Sequence, residues 1–435
     1  MTGNVQGGRG SHYAMSMFII GVLFFIFGFV TWLNGPLTIF VKLAFNLDDV
    51  SAFLIPVAFY VSYFVWALPG AAVLKRTGMK RGMALGLFVM AIGAVLFGQF
   101  IDWRMYPGAL VGLFVIGAGL SLLQTASNPY VSILGPIDSA AQRVAIMGIC
   151  NKVAGALAPL VFGALVLSGI GDFEAKVKAA PTPQDAARML DAFVSRVYWP
   201  YMVMAAIMAV LAIWVVRSSL PEIKPSGDNR EDAAHAGRSI FSFPHLWLGV
   251  LCLFIYVGME VMAGDAIGIY GQALGLPLDA VKHFTSFTML AMLVGYVAGL
   301  VLIPRFISQQ SYLAVSAVLG VLFAFGAYAT QGYASVAFVA ALGFANAMMW
   351  PAIFPLAIKR LGSHTEFGSA LLIMGIMGGA LIPQVFVHLK EHIDFQLAFL
   401  LVMVPGYLYI LFYGLRGHRV GQQETASVLA ADTMQ

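Results

Sequence analysis

Twelve long apolar runs constrain the fold of this chain more than any other feature. They lie at about residues 17–41, 51–74, 82–100, 108–134, 144–169, 198–216, 244–272, 281–303, 311–329, 333–358, 367–388 and 396–415. A helix needs roughly 20 mostly apolar residues to cross a bilayer. Only 10% of the residues are charged, against about 25% in an ordinary soluble domain. The sequence therefore predicts an all-α membrane protein with twelve transmembrane helices, which we number as spans 1 to 12.

Lysine and arginine concentrate in the loops after spans 2, 6 and 10 and after span 12. These residues are Lys75, Arg76, Lys80, Arg81, Arg217, Lys224, Arg230, Arg238, Lys359, Arg360, Arg416 and Arg419. All of these segments lie on one side of the membrane if the spans alternate in direction. Because cytoplasmic loops carry an excess of positive residues, we expect both termini in the cytoplasm.

The loops also indicate how the chain is divided. Residues 217–243 are polar and rich in Ser, Pro and Gly, as expected of a cytoplasmic linker. They would join a six-helix bundle over residues 1–216 to a second bundle and a cytoplasmic tail over residues 244–435. Between spans 5 and 6, Thr182 followed by Pro183 and Asp185 is typical of a helix start, so we predict a short amphipathic helix there.

An internal repeat supports two equivalent halves. Residues 155–162 read GALAPLVF and residues 379–386 read GALIPQVF, with six of eight positions identical. GVLFFIFGF at Gly21 corresponds to GVLCLFIYV at Gly249, and Gln124 before Pro129 corresponds to Asn346 before Pro351. These three matches have nearly the same displacement, so the sequence predicts two pseudo-symmetric six-helix bundles.

Charged residues inside the spans are candidates for function, because an ionisable side chain is costly in lipid. At 1.5 Å per residue, Lys152 lies roughly 14 Å into span 5 and Glu260 roughly 20 Å into span 7. Asp265 lies further along span 7. A buried charge must be paired, so we expect Lys152 to pair with an acid of span 7, Glu260 being closer in depth than Asp265. The pair would be either a static packing element or a coupling element that breaks during transport.

Amide side chains cluster on the same spans as the charges. They are Asn34, Gln124, Asn128, Asn151 and Asn346. Amides both donate and accept hydrogen bonds, which suits the hydroxyl groups of a neutral polyol, although each one could instead join helices. Trp32 and Trp350, each close to such an amide, are candidate stacking surfaces for a sugar ring. We predict that Gln124, Asn128, Asn151, Glu260, Asn346 and Trp350 face one central cavity.

Several segments resemble a known transporter family. LFFIFGFVTWLNGPL in span 1, AFYVSYFVWALPG in span 2 and LLQTASNPYVSILGP in span 4 resemble the fucose:proton symporter family of the major facilitator superfamily. Within that family, the sequence most resembles the branch of the glucose/galactose transporters, and the N-acetylglucosamine permeases form a neighbouring branch. In the loop after span 2, Arg76, Gly78, Lys80 and Arg81 fit the superfamily's conformational loop motif, whereas Ala71 and Lys75 depart from it. Alone, that loop could be a simple basic turn.

The resemblance implies the major facilitator fold, cation-coupled sugar uptake and a location in the cell inner membrane. Two coupling carboxylates of the fucose-transporting branch are absent here, because Gly35 and Gln124 occupy the matching positions. The proton site of that branch therefore does not carry over, and the coupling ion could be H⁺ or Na⁺. We expect import of a neutral hexose, of the glucose/galactose type or N-acetylglucosamine. The alternatives are a passive sugar uniporter and a drug exporter of the same fold.

Other classes of protein lack support in the sequence. No Ser-His-Asp, metal-spaced His/Cys or phosphate-loop pattern is present, so we expect neither an enzyme nor a bound cofactor or metal. The expected partners are the sugar and the lipid bilayer, without nucleic acid, and the expected state is a monomer.

Overall fold

The computed structural model describes residues 5–134, 140–222, 239–303, 305–361 and 364–421. Within these ranges, twelve helical segments are long and apolar enough to cross a membrane, which confirms the predicted number of spans. Spans 1 to 6 are Tyr13–Ala44, Asp49–Thr77, Met79–Asp102, Tyr106–Asn128, Arg143–Leu165 and Pro183–Arg217. Spans 7 to 12 are Pro244–Gly264, Leu278–Leu302, Gln309–Ala329, Gly332–Ile358, Phe367–Leu389 and Phe395–Leu415.

Several spans consist of more than one helix, and span 7 is followed by a further short one. Span 1 comprises helices Val5–Thr31 and Asn34–Ala44, and the helix of span 7 is followed by Ile267–Ala273. Span 10 comprises Gly332–Asn346 and Met349–Ile358, and span 11 comprises Thr365–Met374 and Gly378–Leu389. Spans 1 and 7 occupy corresponding positions in the two halves. Breaks at corresponding positions are a recurrent mark of substrate and ion sites in transporters.

The other long helices are less interrupted. They are Leu54–Thr77, Met79–Asp102, Tyr106–Ile133, Ala140–Leu165, Tyr198–Arg217, Phe284–Leu302, Gln309–Ala329 and Phe395–Leu415. The repeated segments lie inside Ala140–Leu165 of span 5 and Gly378–Leu389 of span 11, and each has a proline within its helix, Pro159 and Pro383. The superposition of the two halves and their boundaries remain predictions, and residues 223–238 of the expected linker lie outside the described residues.

The predicted short helix between spans 5 and 6 is confirmed. It runs over Pro183–Val194, and the hydroxyl of Thr182 accepts a hydrogen bond of 3.1 Å from the backbone N–H of Asp185. A 3₁₀ turn, Ser195–Val197, joins it to the helix of span 6. A second short helix that the sequence analysis did not predict, Ile170–Lys178, precedes it.

The spans pack in two ways. Within the halves, span 3 packs on spans 4 and 6, span 1 on span 5, span 8 on span 10 and span 9 on span 12. Between the halves, span 5 packs on span 8 and span 2 on span 11. Apolar side chains such as Val203, Ile207 and Val210 of span 6 point away from the core and are about half exposed. An apolar outer surface of this kind is suited to lipid.

The loops define two faces of the molecule. We call the face that carries residues 75–81, Arg217 and residues 359–360 the basic face, and the opposite face the distal face. Span 1 begins at the basic face and span 2 begins at the distal face. Both names refer to the structure alone and do not depend on its orientation in a cell.

Candidate functional site

A cavity lies between the two halves, near the middle of the spans. Its polar and charged lining residues are Thr31, Tyr60, Tyr63, Gln124, Asn128, Asn151, Lys152, Tyr256, Glu260 and Tyr296, and Trp32 and Trp350 line it as well. Five of them lie nearer to the basic-face end of their spans than to the distal end: Gln124, Asn128, Asn151, Tyr296 and Trp350. The cavity is therefore directed toward the basic face.

An ion pair crosses the cavity from one half to the other. The ammonium Nζ of Lys152, on span 5, lies 2.9 Å from Oε1 of Glu260, on span 7. Only 7% of the Lys152 side chain and 13% of the Glu260 side chain are exposed. A buried ion pair is costly to break when one partner is left uncompensated, so the pair links the position of span 5 to that of span 7.

Trp32 completes the surroundings of the lysine. The Lys152 ammonium lies 4.4 Å from the centroid of the Trp32 ring, within the range of a cation–π interaction. A Cβ atom at Gly155 or at Gly264 would lie 2.5 Å from this ring. The indole therefore fits between spans 5 and 7 because both facing residues are glycines. Its N–H also donates to Oδ1 of Asn151 at 3.5 Å.

The amides and aromatic rings line the remaining wall. The Gln124 amide N–H donates to the hydroxyl of Tyr63 at 3.1 Å, and Asn128 lies one turn further along span 4. Trp350 stacks on Phe354, with ring centroids 5.9 Å apart and planes 20° apart. The wall thus presents hydrogen-bonding groups beside flat apolar faces, which is the arrangement that a sugar ring with its hydroxyls requires.

Two predicted binding residues do not line this cavity. Asn346 is fully buried, accepts a hydrogen bond of 2.9 Å from the Tyr407 hydroxyl and donates to the Met259 carbonyl at 3.5 Å. The prediction that Asn346 faces the cavity is therefore wrong for this conformation. Span 10 breaks after Asn346, and the Asn346 side chain connects span 10 to spans 7 and 12. Of the two predicted residues of span 10, only Trp350 lines the cavity. Asn34 is also buried behind the wall, at the start of the second helix of span 1.

Asp265 lies apart from the cavity as well. It is 1% exposed and follows the helix Pro244–Gly264, and its Oδ2 accepts a hydrogen bond of 3.3 Å from the Tyr60 hydroxyl. Lys152 is ion-paired with Glu260 and not with Asp265.

Besides Tyr63, three further tyrosines of the cavity are not among the site residues predicted from the sequence. Tyr60, Tyr256 and Tyr296 line it together with the predicted residues. Helical spacing offered a signal for two of them, because Tyr256 precedes Glu260 by one turn and Tyr60 precedes Tyr63 by three residues. Tyr296 of span 8 had no such neighbour.

The basic loop after span 2 is tied to the segment that follows span 6. Gly78, with φ of 80°, ends span 2 and begins span 3, a backbone conformation that favours glycine. The Lys80 ammonium donates to the Ser218 carbonyl at 2.8 Å, and the Lys80 N–H donates to the Glu222 carboxylate at 3.0 Å. Arg76 and Arg81 are exposed. The loop therefore anchors the described beginning of the linker.

Polar contacts join the two halves at the distal face. The Asp49 carboxylate, at the start of span 2, lies 2.6 Å from the Lys42 ammonium and also pairs with Lys390 of span 11. Lys42 donates to Gln272 beyond span 7 at 3.1 Å. The Ser286 hydroxyl of span 8 donates to the Ala156 carbonyl of span 5 at 2.9 Å. These contacts hold the distal ends of the halves together above the cavity.

Comparison with known proteins gives the family. A family model described as Major Facilitator Superfamily matches residues 20–383. The glucose/galactose transporter of Brucella abortus is 34% identical over 412 residues, which cover 94% of this chain and 95% of the relative. The L-fucose-proton symporter of Escherichia coli is 30% identical over 388 residues, which cover 87% and 88%.

A solved structure agrees with these relatives. The crystal structure of a major facilitator transporter, FucP, in the outward conformation has a TM-score of 0.74 and 26% identity, over 93% of this chain and 98% of that one. The named relatives are transporters and not enzymes. The chain therefore belongs to the major facilitator superfamily and has its fold of twelve membrane-spanning helices.

Proposed function

We propose that this protein is a secondary active transporter that imports a neutral hexose of the glucose/galactose type together with a proton. The relatives named above as a glucose/galactose transporter and an L-fucose-proton symporter support the sugar and the coupling ion. The proposal places the protein in the cell inner membrane with its basic face in the cytoplasm, in accordance with the excess of positive residues there. In this orientation the cavity is directed inward.

The observation that carries the proposal is the Lys152–Glu260 ion pair within a cavity rich in amides and tyrosines. Alternating access in this superfamily is largely a rocking of one half against the other around a fixed site. Lys152 and Glu260 belong to different halves, so rocking strains or separates them. A buried charge that loses its partner is strongly disfavoured, and therefore a ligand has to replace the lost contact.

A neutral sugar can make this replacement. Its hydroxyl groups donate to the Glu260 carboxylate and to the Gln124 and Asn128 carbonyl oxygens, and they accept from Lys152 and from amide N–H groups. Trp350 offers a flat apolar surface to the C–H face of the ring. Because Lys152 and Glu260 have opposite charges, the pair favours a substrate without net charge over a sugar acid or an amine.

Transport in proteoliposomes tests this proposal. We expect the purified protein to accumulate labelled D-glucose or D-galactose above the external concentration when an inward proton gradient is imposed, and not with a sodium gradient alone. L-fucose and N-acetylglucosamine, offered in parallel, measure selectivity. A protein that only equilibrates the sugar would be a uniporter, and one that moves none of the sugars would contradict a hexose transporter.

A further inference from the structure

The second acid of span 7, Asp265, lies in a buried site of its own. It is 1% exposed and sits where span 7 breaks, between helices Pro244–Gly264 and Ile267–Ala273. Its Oδ2 accepts from the Tyr60 hydroxyl, whereas its Oδ1 has no hydrogen-bond partner of normal geometry among the described residues. Asp265 does not line the sugar cavity. A buried, incompletely satisfied carboxyl group of this kind requires an explanation.

The break in span 1 faces the break in span 7. Gly35 is the second residue of the helix Asn34–Ala44, and its backbone approaches the Asp265 carboxyl group. A Cβ atom at Gly35 would lie 3.2 Å from Oδ1 of Asp265 and 2.7 Å from the Thr285 hydroxyl. Glycine therefore lets the positive end of this helix reach the carboxyl group, where helix ends favour negative charge.

No cation is close enough to neutralise Asp265 by direct contact among the described residues. The titratable groups that act on it are Tyr60, Glu260 and Lys152, and the Lys152 ammonium is bound to Glu260 at 2.9 Å. Burial of an isolated charge is so costly that a carboxyl group usually holds a proton instead. The Tyr60 hydroxyl and the start of the Asn34–Ala44 helix can nevertheless stabilise the carboxylate when water enters. The site is thus suited to both binding and releasing a proton.

We propose that Asp265 is the proton-binding site of this transporter, distinct from the sugar cavity; this deepens the proposed symport and rests on it. The site spans the interface, since Gly35 and Tyr60 belong to the first half and Asp265 and Thr285 to the second. Rocking of the halves therefore changes the access of water to the carboxyl group. One proton moves from water to the carboxylate on one side, and the same proton leaves to water on the other.

The division of tasks between the two acids follows from the charges. With a proton on Asp265, the buried set of Lys152, Glu260 and Asp265 has no net charge, and without it the set has one negative charge. The conformation that is closed on both sides therefore costs less free energy when this set is neutral. Gly35, the position at which the fucose-transporting branch has an aspartate, thus faces a carboxyl group that comes from span 7.

The first test detects the protonated carboxyl group directly and needs no sugar. Infrared difference spectra of the reconstituted full-length protein, taken between acidic and alkaline buffers, should contain the C=O band of a buried protonated carboxyl group. We expect Asp265→Asn to lose this band and Glu260→Gln to keep it. Loss of the band in Glu260→Gln with its retention in Asp265→Asn would place the proton on Glu260 and overturn the proposal.

The second test measures the coupling of sugar accumulation to the proton gradient. Asp265→Asn should lose proton-driven accumulation while it retains sugar counterflow, and the matched control Asp279→Asn, a half-exposed partner of Lys282, should retain both. The swap Gly35→Asp with Asp265→Gly, combined with Thr285→Ala to remove the hydroxyl that would lie 2.7 Å from the new Cβ, keeps one carboxyl group in this space and should restore part of the accumulation. Proton-driven accumulation by Asp265→Asn would refute the inference. If the wild-type protein carries no hexose but shows the Asp265 band, the proposed substrate is wrong and the proton site stands.

Discussion

At the scale of single residues, the membrane explains why a lysine in the middle of a helix has to have a function or a partner. Lys152 is held by Glu260 at 2.9 Å and by the face of Trp32 at 4.4 Å. Both contacts come from other spans, so the environment of Lys152 depends on the relative positions of spans 1, 5 and 7. A coupling element separates during transport, whereas a static ion pair remains closed.

We predict that Lys152→Ala abolishes uptake against a gradient and spares sugar counterflow at least in part, because exchange does not require the unloaded protein to return. Concentrative uptake and counterflow in the same vesicles measure this. The double variant Lys152→Ala/Glu260→Gln removes the stranded charge, and Lys282→Ala removes the lysine of a more exposed pair as a control. Normal accumulation by Lys152→Ala would show that the ion pair is structural.

Gln124 gives a second prediction at this scale. It lines the cavity and donates to the Tyr63 hydroxyl. Gln124→Ala should weaken sugar binding by roughly 1–3 kcal/mol, the range for leaving a buried polar partner unmatched. Titration of the purified protein with the transported sugar measures this change, and Gln99→Ala on span 3, outside the cavity lining, is the control. Unchanged affinity would mean that Gln124 only joins spans 2 and 4.

At the scale of elements, broken helices and helix ends position the polar groups. Breaks in spans 1 and 7 bring Gly35 and Asp265 together, and the break in span 10 separates Asn346 from the cavity wall. At the distal ends, the Asp49 carboxylate joins Lys42 of span 1 to Lys390 of span 11. The ends of spans 1, 2 and 11 therefore act as the distal closure.

We predict that Asp49→Asn opens the distal face more often. Each partly exposed ion pair contributes ~0.2–1 kcal/mol, so a loss of about 1 kcal/mol in total shifts the population roughly fivefold. The opening is measured with a cysteine in place of Ala156, which is buried at the interface of spans 5 and 8 and whose carbonyl remains the acceptor of the Ser286 hydroxyl. Opening should raise the rate at which a thiol reagent modifies this cysteine. The background lacks Cys150 and Cys252.

The control for this experiment uses a pair that lies within one half. Asp191 is paired with Arg104 at 2.7 Å, and both residues belong to the first half. Asp191→Asn should leave the modification rate unchanged. If Asp49→Asn also leaves it unchanged, the distal ion pairs do not hold the halves together.

At the scale of the whole molecule, two bundles enclose one cavity that is directed toward the basic face. Distal contacts close the other side, whereas the similar FucP structure has an outward conformation. In the rocking mechanism that we propose, the present structure would be one end of the motion. A ligand shifts such an equilibrium only through its different affinity for the two states, which is the role that we assign to the sugar and the proton.

The orientation in the membrane is testable at this scale. We predict that a cysteine at Ala187, exposed on the helix Pro183–Val194, reacts with an impermeant thiol reagent in intact cells. A cysteine at Val420, exposed on the basic face, should react only after the membrane is opened, because positive loops remain in the cytoplasm. The opposite labelling pattern would show that the basic face lies outside the cell.

Much of the fold and part of the site could be predicted because the bilayer imposes strong rules on a sequence. A span needs about 20 apolar residues, so the twelve spans are visible in the chain, and Thr182 with its neighbours marks a helix start. An ionisable residue is costly in lipid, so Lys152, Glu260 and Asp265 are conspicuous. The order of spans and the candidates for buried charge were therefore determined by the sequence itself.

Only the tertiary structure decided which of these residues meet. In a membrane both the lipid-facing and the core-facing sides of a helix are apolar, so no amphipathic stripe reveals the direction of Asn346, Tyr256 or Tyr296. The separation of Asp265 from the Lys152–Glu260 pair depends on where spans 1 and 7 break. Those breaks are stabilised by contacts between residues more than 200 positions apart, such as Tyr60 with Asp265, and local sequence does not encode such contacts.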